Sequence, residues 1–77
     1  KIWVLDSQWQ DNAALLKTRS LIKDGHTVFI WPKNIGTKFK DFNDMVIHYE
    51  LNHISPSFIK SNSHKGMKAE VLLTQIK

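Results

Sequence analysis

The sequence predicts an α/β fold, one parallel β-α-β unit followed by short C-terminal helices. Three observations predict it. Residues 1–5 (KIWVL) form a nearly all-apolar run that stops at Asp6. Residues 12–23 carry a helical apolar pattern. Residues 26–31 (HTVFIW) are β-branched and aromatic up to Pro32. A strand, about a dozen helical residues and a second strand make a crossover unit, whose two strands run parallel.

Each element then has a local reason. The first run is continuous rather than alternating, which suits a strand buried on both faces. Asp11 or Asn12 is placed to cap the first helix. Ala14, Leu15, Leu21 and Ile22 share one face of that helix, while Lys17, Arg19 and Lys23 point away. Gly25 follows where a left-handed residue ends a helix. Pro32 stops the second strand because it has no N–H for a ladder. Residues 33–40 (KNIGTKFK) read as a loop. Asp41 opens a second helix with Phe42, Met45, Val46 and Tyr49 at i, i+3, i+4 and i+7, fading near Asn52. Asp44 falls at N3, much like a capping box. Ser55-Pro56 reads as cap and first position of a third helix, residues 56–60. Residues 61–66 look like a polar turn. Residues 67–77 fit helix or strand, and helix is favoured because Lys, Ala, Glu, Leu and Gln are good helix formers.

Composition narrows the class. The 77 residues are 42% hydrophobic and 23% charged, with a net charge of +4. That is ordinary globular composition and excludes a disordered tail, collagen or a coiled coil. There is no cysteine, so disulfides and cysteine-held zinc are excluded. The longest uncharged apolar run is about six residues, too short for a membrane-spanning helix. No leader-like pattern opens the chain. It opens on Lys1 with a strand already under way, and a core of this size is marginal without staples. A fragment of a larger domain is therefore expected.

Three groups of residues carry possible chemistry. Asp6 closes the first strand, and ligands of open α/β sheets bind beyond the carboxyl ends of strands. A turn or capping role explains the same residue. Asp41 and Asp44 lie past the second strand, where they can converge with Asp6. Two or three carboxylates suffice for Mg²⁺, which keeps several waters. Helix capping accounts for Asp41 and Asp44 equally well, and both readings stand at this level. Lys33, Lys38 and Lys40 share one loop, with Lys60, Lys65 and Lys68 further on; they suit phosphates, with Trp9 and Phe39 nearby to stack on bases. A net charge of +4 is modest, and ordinary solvated surface lysines explain the same pattern. The histidines are scattered, His48 and His53 standing five apart and off a common helical face.

Taken together, an apolar strand ending V-L-D, an amphipathic helix ending D-G-H, a strand V-F-I-W-P and the run K-D-F-N-D-M resemble the C-terminal part of a TOPRIM domain. More closely, they resemble the DNA primases of T-even-type and related phages. Ser61-Asn62-Ser63-His64-Lys65-Gly66-Met67-Lys68-Ala69 echoes the family's closing segment. The likeness covers nearly all 77 residues. It implies a Rossmann-like fold and a DNA primase that makes short RNA primers from ribonucleoside triphosphates on a single-stranded DNA template, with Mg²⁺ (or Mn²⁺) as cofactor. Carried over, Asp6 matches the first acid of the family's D-x-D, and Gln8 falls at the second as a neutral ligand. Asp41 and Asp44 match the later acidic element, giving Asp6 and Asp41 catalytic roles and Asp6, Gln8, Asp41 and Asp44 metal-binding ones. Lys33, Lys38 and Lys40 lie toward phosphates or template. The family's glutamate strand would precede Lys1, so the isolated chain is expected to be inactive. A replicative helicase is an implied partner, and cytoplasm, a host's if phage-encoded, the implied setting. The alternative is a non-catalytic Rossmann-like module that binds nucleic acid or a helicase.

Overall fold

A computed structural model describes residues 1–76. β1 (Ile2–Trp3) leads through a long loop to α1 (Asn12–Lys23), which returns to β2 (Thr27–Phe29). α2 (Lys33–Gly36), α3 (Phe42–Tyr49) and α4 (Pro56–Ser61) follow, then β3 (Ser63–His64) and α5 (Gly66–Leu73). The sheet order is β1-β2-β3. β1 and β2 are parallel, with Ile2 opposite Thr27 and Trp3 opposite Val28. β3 is antiparallel to β2, with His64 opposite Val28. The fold is thus a small α/β unit on a mixed sheet, with the expected parallel β-α-β unit at its start.

β2 is central, and successive side chains of a strand point to opposite faces. Val28 and Ile30 meet Leu15, Leu21 and Ile22 of α1 and Ala69 and Leu73 of α5. Phe29 and Trp31 meet Phe39 and Met45, with Ile35, Phe42 and Phe58 packed alongside. So α1 and α5 cover one face and α2, α3 and α4 cover the other. Trp9 packs against both clusters.

Helix ends follow the sequence closely. Asp11 caps α1 by accepting from the N–H groups of Ala13 and Ala14. Asp41 caps α3 by accepting from the Asp44 N–H. Gly25, at φ 89°, ends α1; its N–H donates to the Ile22 carbonyl and the His26 N–H to that of Leu21. Ser55 and Pro56 begin α4 as expected, although the Ser55 hydroxyl pairs with Ser57 instead of the helix backbone.

Four expectations are corrected. β1 is an edge strand, with Ile2 and, just past its end, Val4 exposed, the latter at 42%, because no strand among the described residues pairs with its outer side. Residues 33–40 contain the helical turn α2, started by Pro32 at φ −60°. The expected turn at 61–66 contains β3, since the Ile30 N–H reaches the Asn62 carbonyl and brings Ser63 and His64 alongside β2. Phe39 is buried at 5% exposure beneath α3, so it has no open face for a base. The favoured helix near the C-terminus is present as α5, and Lys77 lies outside the described residues.

Candidate functional site

The carboxyl ends of β1 and β2 form the place to look. After β1 the chain turns to α1 on one face; after β2 it turns to α2 and α3 on the other. Adjacent parallel strands whose connections leave to opposite faces open a crevice between them, and ligands of such sheets bind there.

The loop after β1 plugs the floor of this crevice. Ser7 and Gln8 are fully buried. The Gln8 amide nitrogen donates to the Phe29 carbonyl (2.9 Å) and the Thr18 hydroxyl (3.0 Å), and its oxygen accepts from the Trp31 N–H (3.1 Å). Gln8 therefore supplies β2 with the hydrogen bonds that β1, too short to reach this far, does not. The Ser7 hydroxyl donates to the Gly36 carbonyl at 2.7 Å, and the Gln10 amide donates to the same oxygen at 3.0 Å. The Trp9 indole N–H donates to the Trp31 carbonyl at 2.7 Å. Gly36 has room for no side chain, since a Cβ there would sit 2.4 Å from Trp9 Cδ1.

The acids lie around this plug. The Ser7 N–H donates to the Lys40 carbonyl at 2.7 Å. That one bond ties the Asp6–Ser7 peptide to the Lys40–Asp41 peptide, which holds the Cα atoms of Asp6 and Asp41 within roughly 8 Å. Asp6 is half-buried and shares a shallow groove with Asp11 and Lys17. The Asp41 carboxylate accepts from the Asp44 N–H at 2.9 Å, and that of Asp44 accepts from the Lys40 N–H at 3.4 Å. Each uses one oxygen for its cap and keeps the other.

The lysines are exposed and lean on aromatic rings. Lys33 Nζ lies 6.0 Å from the Trp9 ring centre. Lys38 Nζ lies 5.6 Å from that of Phe39 and 5.9 Å from that of Tyr49. Lys40 is exposed beside Asp41.

Gln8 is the correction among the proposed metal ligands. It was expected at the crevice, but its amide is turned into the core and both its nitrogen and its oxygen are engaged. Among the described residues no three His, Cys, Asp or Glu side chains are grouped to hold a metal ion. Mg²⁺ is commonly bound through only one or two protein carboxylates, with water and substrate phosphate completing the shell. The Ser7–Lys40 bond brings the backbones of Asp6 and Asp41 together, as such an arrangement would need, while the groove that Asp6 lines is shared with Asp11 and Lys17; the residues do not fit a cation caged by protein alone. Ser7, Gln10 and Gly36 frame the site although sequence reasoning assigned them no role, and Trp9, expected to stack on bases, instead donates its indole N–H to the Trp31 carbonyl. The single glycine of the lysine loop was the one available signal.

No helix among the described residues is long and apolar enough to cross a membrane. Comparison of the chain with protein-family models, curated proteins and solved structures finds no match.

Proposed function

We propose that the chain is the C-terminal part of a TOPRIM domain of a phage-type DNA primase, contributing the acidic rim for nucleotidyl transfer on single-stranded DNA. The observation that carries the reading is the Ser7–Lys40 hydrogen bond, which joins the two acid-bearing loops at the carboxyl ends of a parallel strand pair. The resemblance of V-L-D, W-P and K-D-F-N-D-M to that family supplies the reaction class. Asp6 and Asp41 would hold Mg²⁺ or Mn²⁺, and such an ion, when bound, activates an attacking 3′-hydroxyl and neutralises the triphosphate of the incoming ribonucleotide. The chain's own work is positioning and electrostatics. The Gln8 plug fixes the height of the Asp6 loop, and the capped α3 fixes Asp41. Lys33, Lys38 and Lys40 offer charge to phosphates or template.

A second reading, a non-catalytic module that binds nucleic acid or a helicase, is favoured by one observation: the position of the second D-x-D acid is a buried, fully hydrogen-bonded Gln8.

Titrating the chain with Mg²⁺ or Mn²⁺ while following tryptophan fluorescence tests the first reading. A saturable shift is expected, weakened by Asp6→Asn and by Asp41→Asn. Asparagine caps helices as well as aspartate does, so the second change removes charge while keeping α3. No response, with salt-dependent single-stranded DNA binding that survives both substitutions, would transfer the case to the binding module.

A further inference from the structure

A small cavity lies where β2 runs out, on the side of β3 and α5, and among the described residues no acid lines it. Its volume is about 140 Å³. Ile30 and Ile76 give it an apolar floor and Trp9 an aromatic wall. The polar groups around it are Asn62, His64, Gln75 and Lys33. One N–H of the Asn62 amide donates to the Phe58 carbonyl at 2.9 Å, which leaves its second N–H and its side-chain oxygen for a partner. Gln75 is exposed and presents a whole carboxamide. Burial and the neighbouring Lys68 hold the His64 imidazole below its usual pKa, leaving it neutral with one donor and one acceptor nitrogen. Among the described residues the lining holds one lysine and no carboxylate.

An apolar pocket lined by neutral donors and acceptors, with the Lys33 ammonium 6.0 Å from the Trp9 ring centre, has a definite complement. It suits a planar heteroaromatic ring with polar edges and an anionic tail. The geometry points to a nucleobase site: the ring of a nucleoside 5′-phosphate packs along Trp9, its edge meets Asn62, His64 and Gln75, and its phosphate faces Lys33. This deepens the nucleic-acid reading above and rests on it, but the pocket uses neither Asp6 nor Asp41 and needs no divalent cation.

The test is a titration of the chain with nucleoside monophosphates in EDTA, followed by NMR at the Trp9 indole N–H and the Asn62 side-chain amide. Saturable shifts at both are expected. Gln75→Ala and Lys33→Gln, both at exposed positions, should each weaken binding about fivefold or more. Ribose 5-phosphate should shift neither signal. A short deoxyoligonucleotide run in parallel tells a free nucleotide from a strand terminus as the source of the base. Absence of saturation, or affinity unchanged in both variants, overturns the proposal. So does equal binding of ribose phosphate, or binding that appears only with Mg²⁺ and disappears in Asp6→Asn, which would assign the nucleotide to the acidic rim. Because the cation titration depends on Asp6 and Asp41 and this one, run in EDTA, on Gln75 and the Asn62 signal, either can fail alone.

Discussion

Gln8 is 1% exposed and makes three side-chain hydrogen bonds, two as donor and one as acceptor. Only a carboxamide matches that set. A carboxylate in its place would keep the bond from the Trp31 N–H but turn an acceptor toward the Phe29 carbonyl and the Thr18 oxygen, whose own proton goes to the Ala14 carbonyl. Gln8→Glu should therefore cost about 2–4 kcal/mol at neutral pH. Part of that returns on acidification, because a protonated Glu regains one donor. Urea denaturation at two pH values measures both effects, and a midpoint equal to the parent's would refute the argument. Gly36→Ala is the steric counterpart. Its Cβ would fall 2.4 Å from Trp9 Cδ1 and 2.9 Å from Trp31 Cβ, and overpacking of this kind costs about 1–3 kcal/mol. Neither role was legible in the sequence. The partners of Gln8 on β2 and just past its end lie 21 and 23 positions away, beyond any local window, and a polar residue between Asp6 and Asp11 reads as solvent-facing until the sheet is assembled.

Apart from the single turn α2, the helices were legible because their signals are local, and the ends of α1 and α3 show how far that goes. Both finish in the same hydrogen-bond pattern. In α3 the Leu51 N–H donates to the Val46 carbonyl and the Glu50 N–H to that of Ile47. The left-handed residue is a glycine in α1 but Glu50, at φ 54°, in α3. A side chain there costs about 1–2 kcal/mol, partly offset by the greater freedom glycine has when unfolded. Glu50→Gly should stabilise the chain by about 0.5–1 kcal/mol, read as a melting point higher by a few degrees. The strand β3 was not legible. Ser63-His64 has no apolar pattern, and it is a strand only because β2 offers it an edge. That placement has a consequence for pH. His64 opposes Val28 and is held below its ordinary pKa of 6.5 by burial and then by Lys68. A group whose folded pKa is depressed favours the unfolded state when it protonates. Its contribution is complete above 6.5 and lost as the pH falls through the folded value. His64→Gln should flatten the fall in stability between neutral and mildly acid pH; an unaltered slope would show that His64 is not its source.

At the scale of the whole molecule, edge and centre are what a linear reading misses. The run KIWVL resembles a strand covered on both sides, yet Ile2 and Val4 are exposed because β1 ends the sheet. The parallel pairing of β1 and β2, by contrast, followed from the order strand–helix–strand with about a dozen helical residues between. The two faces then share one strand. Val28 and Ile30 belong to the α1–α5 side and Phe29 and Trp31 to the α2–α4 side, so neither core can dissolve without taking β2 from the other. A domain of this size has only a few kcal/mol in reserve. Leu73→Ala, in a side chain 3% exposed on the α5 side, should cost about 2–5 kcal/mol. The loss should register on the opposite face as well, with Trp31 fluorescence and far-UV circular dichroism moving together to lower urea. Two separated transitions would mean that the faces fold independently. The same coupling bears on the acidic rim, whose Asp6 loop leads into α1 while its Asp41 loop opens α3. If the layers melt as one unit, Leu73→Ala removes any response to Mg²⁺ at the urea concentration that removes the fold, although Leu73 contributes no atom to the rim.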